Sequence, residues 1–188
     1  SFKQGNEQVL EDLLKKIPGL SVSDNGTIKV GNQEVEKVMI DGDDKKLKQL
    51  MIPAFKEELL QSKAYHAVIP QNKKLEELGY SIQVNPREIN LFYMNNDYSR
   101  ERIVEENGTY FIHNTTIQFS KEEIISELEQ YPEKFSPNVI MRPLFQETIL
   151  PNVAYVGGGG EMAYWFQLKE MFHQFEVDFP LLVLRNSV

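Results

Sequence analysis

The residues whose types and spacing most suggest chemistry are four successive glycines, Gly157 to Gly160, followed by Glu161. They stand where an apolar strand hands over to a helix. Without side chains, such a run lets a ligand reach backbone N–H groups at the positive end of the helix dipole, so an anion suits it. Gly158, Gly160 and Ala163 satisfy the loose G-x-G-x-x-[GA] pattern, but a glycine-rich run matches such spacings easily, and no Lys-Ser or Lys-Thr follows as in a P-loop. A tight turn with close strand–helix packing explains the glycines equally well.

Other polar residues lie near this unit in sequence. Arg142 and Gln146 are four apart and share a face if the segment is helical. Arginine is the natural clamp for a carboxylate or phosphate, although an ion pair that merely orders the segment is the commoner use. Glu161 opens the helix, where capping competes with any acid–base role. Tyr164, Trp165 and Phe166 divide between core and pocket rim. Asn85-Pro86-Arg87-Glu88 is a polar loop that serves either as turn chemistry or as a site. His66, His113 and His173 have no metal-ligand spacing, and no G-x-S-x-G nucleophile elbow occurs. With no cysteine, the chain has no thiolate metal ligand and no cysteine nucleophile, so any thiol it processes comes from a substrate.

The elements that must position these groups follow from hydrophobic spacing and turn signals. Apolar residues from Glu7 to Ile17 recur at helical spacing and stop at Pro18-Gly19; strands are expected over Leu20–Ser23, Thr27–Val30 and Glu34–Ile40, with Asp24-Asn25-Gly26 as a turn. From Asp41 the character changes. A helix starts near Lys45 with Pro53 as a kink or restart, and a second runs from about Gln71 to Leu78, ended by Gly79. Strands are expected at Ser81–Val84 and Ile89–Met94, then a hairpin of Arg102–Glu106 and Thr109–His113 about Asn107-Gly108, with Thr116–Phe119 as a third strand. Ser120 and Glu123 form a capping box for a helix over Lys121 to about Tyr131, whose charge-rich stretch reads as a solvated face. Asn152–Val156, the helix from Glu161 to about Phe175 and Pro180–Leu184 form a βαβ unit, so the two strands are expected to be parallel with a right-handed crossover.

Composition bounds the rest. The 188 residues, 41% hydrophobic, suffice for one α/β domain with a small appendage. A net charge of -8 gives no broad positive surface, so nucleic acid is not an expected partner. No run approaches the roughly 20 apolar residues of a membrane-spanning helix, and the start lacks a signal-peptide pattern, although a removed signal would leave no trace.

Two resemblances add to this reading. The segments Gln83-Val84-Asn85-Pro86-Arg87-Glu88-Ile89-Asn90-Leu91-Phe92-Tyr93, Phe135-Ser136-Pro137-Asn138-Val139 with Arg142-Pro143-Leu144, and Leu150-Pro151-Asn152 through Gly157–Gly160-Glu161 to Tyr164-Trp165-Phe166 resemble the bacillithiol biosynthesis cysteine-adding enzyme family. That resemblance implies a nucleotidylyltransferase-like Rossmann enzyme that adds cysteine to glucosaminyl-malate and dimerises through a C-terminal coiled coil. Taken with the residue reading above, the expected substrate contacts are Asn85, Arg87, Arg142, Gly157, Gly158, Gly159, Gly160, Glu161 and Tyr164. A nucleotide is its possible cofactor, no metal is expected, and the compartment is the cytoplasm. The family's early glycine- and glutamine-rich Rossmann segment and its coiled coil have no counterpart in this sequence, which is therefore expected to be a piece inactive by itself. Val9-Leu10-Glu11-Asp12-Leu13-Leu14-Lys15-Lys16-Ile17-Pro18-Gly19, then Asp24-Asn25-Gly26-Thr27-Ile28, and Glu36-Lys37-Val38-Met39-Ile40-Asp41-Gly42-Asp43-Asp44 instead resemble the plug domain of TonB-dependent outer-membrane receptors. The expected division is a plug-like segment over 1–44 and a partial Rossmann-like domain over 45–188, joined between Ile40 and Asp44 as a chimera. For the front segment alone, the resemblance implies an outer-membrane or periplasmic origin.

Overall fold

A computed structural model describes residues 20–22, 28–30, 33–34, 45–95 and 99–185. The helix expected over Glu7–Ile17 and the Asp24-Asn25-Gly26 turn lie outside them. The chain separates into two compact units, Ser1–Asp41 and Gly42–Val188. In the first, β1 (Leu20–Val22), β2 (Ile28–Val30) and β3 (Gln33–Glu34) form an antiparallel sheet in that order. Leu20 pairs with Val30 and Lys29 with Glu34, so the first two strands fall where the alternation placed them.

The second unit opens with α1 (Lys45–Gln49), and Pro53 restarts the chain as α2 (Ile52–Gln61). Proline fits there because the first turn of a helix has no carbonyl to receive its missing N–H. Next comes α3, Lys63–Glu77, eight residues earlier than the expected start at Gln71. The reading that began after Pro70 is corrected: the helix runs through that proline. Burial of Ala64, Ala67 and Val68 outweighs one lost backbone bond. Gly79 then accepts φ +84° and turns the chain away.

The expected strand over Ser81–Val84 is also corrected. Among the described residues no strand pairs with it; instead the buried Gln167 side chain accepts from the Gln83 and Val84 N–H groups at 2.8 and 3.1 Å and donates to the Val84 carbonyl at 2.8 Å. One amide side chain thus occupies the hydrogen-bonding edge that a neighbouring strand would fill.

A five-stranded antiparallel sheet forms from β4 (Leu91–Met94), β5 (Arg100–Glu106), β6 (Thr109–Ile112), β7 (Gln118–Ser120) and β8 (Phe135–Pro137). Its order is β7-β6-β5-β4-β8. Asn107 and Gly108 take φ +52° and +83°, the left-handed pair that a two-residue hairpin demands. Ser120 and Glu123 exchange their capping-box bonds at the start of α4 (Lys121–Gln130). β8, three buried residues between proline-marked breaks, has too short an apolar pattern to be expected from sequence. It matters because it pairs with β4 and leads into α5 (Arg142–Ile149).

The chain ends in β9 (Ala154–Gly157), α6 (Gly159–Gln174) and β10 (Leu181–Leu184). β9 and β10 are parallel, with Val156 opposite Val183, as the βαβ reading requires. α6 packs on α3, and Trp165, Leu168, Met171 and Phe172 enter the core with Phe55, Leu91 and Phe135.

A polar network crosses this core. The buried Glu58 carboxylate accepts from Ala64 N at 2.7 Å, from Asn90 N at 2.9 Å and from Asn90 Nδ2 at 2.8 Å. Burial raises its pKa, and the bonds from Ala64 and Asn90 oppose that rise. The folded protein therefore holds this proton more tightly than the unfolded chain. As pH climbs from the ordinary value of 4.5 through the raised folded value, stability is lost. Urea unfolding across this range should show native stability declining relative to Glu58→Gln, which has no such titration. Native stability rising with pH relative to Glu58→Gln would mean that the hydrogen bonds outweigh burial.

Candidate functional site

The glycine run divides by role. Gly157 closes β9 and is buried, and a Cβ there would stand 2.8 Å from both the Met162 methyl and the Tyr155 ring. It is glycine because strand and helix pack tightly, the packing alternative raised by the sequence. Gly158 is the N-cap of α6, while Gly159 and Gly160 already form its first turn, so the expected helix start at Glu161 moves forward by two residues. A Cβ added at Gly159 or Gly160 would meet nothing within 4 Å, so packing does not require glycine at either. What their lack of side chains achieves is a bare backbone at a helix N-terminus.

Glu161 acts first as a cap. Its Oε2 accepts from Gly158 N at 2.8 Å, and its Oε1 accepts from the Tyr155 hydroxyl at 3.2 Å. Tyr155 stacks on Trp165 with ring centroids 4.4 Å apart. Burial, with Tyr164 and Glu161 nearby, pushes its pKa up to about 12, so at neutral pH it is a donor and not a base. Tyr164 is half-buried against the core. The structure thus gathers Gly157 to Glu161 and Tyr164 around one turn.

Two residues that the sequence reading passed over join them. Tyr155 is one; Arg185, immediately after β10, is the other. The Arg185 guanidinium lies 3.8 Å from a Cβ built on Gly158, and the Arg185 backbone N–H donates to Gly157 O at 2.8 Å. The available signal was the βαβ unit itself. In a parallel pair, the residue after one strand sits beside the residue after the other, at the carboxyl ends where α/β ligands bind.

The remaining candidates sit elsewhere on the unit. Arg142 opens α5, where Asn138 O accepts from its backbone N–H at 2.9 Å, and its positive charge stands at the positive end of that helix dipole. Gln146 shares its helix but turns to Glu147 Oε1 at 3.1 Å. The buried Glu147 in turn accepts from Asn152 N and Nδ2 at 2.9 and 3.1 Å, tying α5 to the segment entering β9. Asn85 and Arg87 are exposed on their loop. Arg87 lines a cavity of about 250 Å³ whose wall is drawn from residues 87–89 and 102–105, apart from the glycine turn's own residues. The Arg87 backbone is gripped on both sides by Asn90, whose Oδ1 accepts from Arg87 N at 3.0 Å and whose Nδ2 donates to Arg87 O at 2.6 Å.

Among the described residues, no group of three His, Asp or Glu could hold a metal, and no helix is long and apolar enough to cross a membrane.

A parallel strand–helix–strand unit, opened by glycines at the helix start, defines a Rossmann-like α/β protein. Residues 33–186 match the family described as bacillithiol biosynthesis BshC, N-terminal Rossmann-like domain. The chain belongs to that family. It is 57% identical over 151 residues to a protein of Flavobacterium johnsoniae and 52% identical over 150 residues to one of Christiangramia forsetii, both provisionally named cysteine ligase BshC. A Bacillus cytotoxicus protein so named is 38% identical over 154 residues. Each alignment covers 80% of this chain and 28% of the relative, so the chain spans under a third of the length of the relatives it matches. The family match begins at residue 33, ahead of the junction expected between Ile40 and Asp44.

The capping role gives a direct expectation. Glu161→Ala should lower stability by about 1 kcal/mol, whereas Glu161→Gln, which can still accept from Gly158 N, should lose less than half of that. Urea denaturation of the two variants checks it, and equal losses would show that charge rather than capping is what Glu161 supplies.

Proposed function

We propose that this chain supplies part of the substrate-binding region of a cysteine ligase of bacillithiol biosynthesis, which joins cysteine to glucosaminyl-malate. The observation that carries this is the bare first turn of α6, with the Arg185 guanidinium beside Gly158, in a chain of the BshC family. A malyl carboxylate suits exposed N–H groups next to a guanidinium. Arg142, Asn85, Arg87 and Tyr164 are the further substrate contacts in this reading. The thiol belongs to the incoming cysteine, since the chain has none of its own.

In the same reading, a nucleotide is the cofactor that the family resemblance admits, the longer protein dimerises through a coiled coil, and the setting is the cytoplasm. Residues 1–44 are taken as a separate plug-like segment joined to the enzyme part. The division of the chain after Asp41 supports a boundary there, and the family match from residue 33 argues for an earlier one.

Calorimetric titration with glucosaminyl-malate should show binding that weakens at least about tenfold in Arg142→Ala, the loss of one charge-assisted contact. Equal affinity in both proteins removes Arg142 from the site.

This chain alone should not turn over cysteine and glucosaminyl-malate. Holding two substrates in reactive geometry supplies roughly 7 to 11 kcal/mol, and that depends on walls from several segments. The chain represents 28% of its relatives' length. A product assay by mass spectrometry, with the Flavobacterium johnsoniae protein as positive control, decides. Turnover within about tenfold of that control, a barrier difference of about 1.4 kcal/mol, would place all the reactive groups within this sequence.

A further inference from the structure

Charges of both signs line the cavity that holds Arg87. Arg87 and Arg102 share its wall with Glu88 and Glu105, and the buried Ile89 and Ile103 supply part of its apolar lining. The two arginines come from different elements, the loop before β4 and the strand β5. Among the described residues neither forms an ion pair, although two carboxylates share the cavity with them. Elsewhere on this unit opposite charges do meet: Lys134 reaches Glu127 at 2.6 Å and Lys63 reaches Glu57 at 2.7 Å. Glu105 is anchored at the hairpin, where its Oε1 accepts from Gly108 N, and its other oxygen has no such bond. The cavity therefore keeps both signs of charge available instead of cancelling them. The backbone beneath is fixed: Asn90 grips the N–H and the carbonyl of Arg87, and the buried Glu58 grips Asn90. A buried network that holds an exposed loop is what a preorganised binding site needs, because its contact residues then lose little freedom when a ligand arrives.

Size and charge together select the occupant. The volume of about 250 Å³ lies below the roughly 300 to 1,000 Å³ of pockets for drug-sized ligands, so the ligand is small. A polyanion such as phosphate would be drawn to the arginines and repelled by Glu88 and Glu105, and a simple cation would meet the reverse. A small molecule that carries both a carboxylate and an ammonium satisfies both pairs. We propose that this cavity binds a free α-amino acid, with its carboxylate on Arg87 and Arg102 and its ammonium on Glu88 and Glu105, as a site separate from the glycine turn. Arginine takes a carboxylate in bidentate fashion, and such charge-assisted bonds are roughly twice as strong as neutral ones. The proposal rests on the ligase reading only in treating Arg87 as a ligand contact; it gives that contact to an amino acid, cysteine in that reading, instead of to the malyl group.

Calorimetric titration of this chain tests it with cysteine, with cysteamine, which lacks the carboxylate, with N-acetylcysteine, which lacks the ammonium, and with inorganic phosphate. Cysteine should bind saturably, and each of the other probes at least about tenfold more weakly, the loss of one charge-assisted contact. Arg102→Ala and Glu88→Gln, both at exposed positions, should each weaken cysteine by about the same factor. Arg102→Ala should leave the affinity for glucosaminyl-malate unchanged. Absence of saturable cysteine binding overturns the proposal. So does phosphate or N-acetylcysteine binding as tightly as cysteine, since the site would then read negative charge alone. Equal cysteine affinity in the native chain and the two variants overturns it too, because the amino acid would be seated elsewhere. Loss of glucosaminyl-malate affinity in Arg102→Ala would give the cavity to the malyl group, overturning this proposal while sustaining the ligase reading. Cysteine binding here with no affinity for glucosaminyl-malate would do the opposite.

Discussion

A carboxylate withdrawn from water must have its lone pairs filled, and the way Glu58 satisfies that demand organises the rest of the unit. Its partners are the Ala64 N–H in the first turn of α3 and both nitrogens of Asn90, so the α2–α3 corner and the entry to β4 are fixed by one side chain. Asn90 continues outward. Its Oδ1 accepts from Arg87 N and from Asn138 Nδ2, and its carbonyl accepts from Asn138 N. Asn138 then accepts from Ile140 N at 2.9 Å, and its carbonyl receives the N–H of Arg142. Removing one member would leave buried groups unpaired, at about 1 to 3 kcal/mol for each neutral group and more for the carboxylate. The backbones of Arg87 and Arg142, distant in sequence, therefore rest on the same network.

Elsewhere too, side chains stand in for secondary structure. Gln167 supplies the edge that would otherwise be a strand beside Gln83 and Val84, and it also donates to Asn72 Oδ1 at 2.8 Å, locking α6 to α3. The buried Lys48 donates to Phe135 O at 2.6 Å, and Lys45 donates to Gln130 O at 2.6 Å, pinning α1 to the ends of α4 and β8. The bonds from Gln167 and Lys48 place an amide and a charged group in buried positions where an apolar residue would cost less. The return is a defined position for backbone that no ladder holds.

These substitutions explain where sequence reading succeeded and where it stopped. Features that depend on local chemistry were legible: the Ser120 capping box, the Asn107-Gly108 turn, the restart at Pro53 and the parallel βαβ unit. Features decided by distant contacts were not. Ser81 to Val84 has a strand-like pattern, yet its partner is a glutamine more than eighty residues away. Pro70 marks a helix break by local rule, and burial on both sides overrides it. The glycine run announced a turn but not its division into one packed glycine and two open ones, because Met162 and Tyr155 set that division in three dimensions. Arg185 stayed hidden for a related reason. Its relation to Gly158 follows from strand pairing, not from spacing.

The geometry at that turn also ranks the forces available to a bound anion. A helix N-terminus offers about 0.3 to 1 kcal/mol to a negative charge at an exposed site. Here Glu161 already places a carboxylate in the first turn and accepts from Gly158 N, so part of the dipole's attraction is used and one N–H is taken. A second anion at the same turn meets repulsion from Glu161 as well as attraction from the helix. A hydrogen bond to a charged partner contributes about 1.5 to 3 kcal/mol, more than the whole of the dipole term. An anion placed at α6 would therefore depend chiefly on the guanidinium of Arg185, which lies beside Gly158. The open backbone of Gly159 and Gly160 would set how closely such an anion could approach, and the dipole would contribute least.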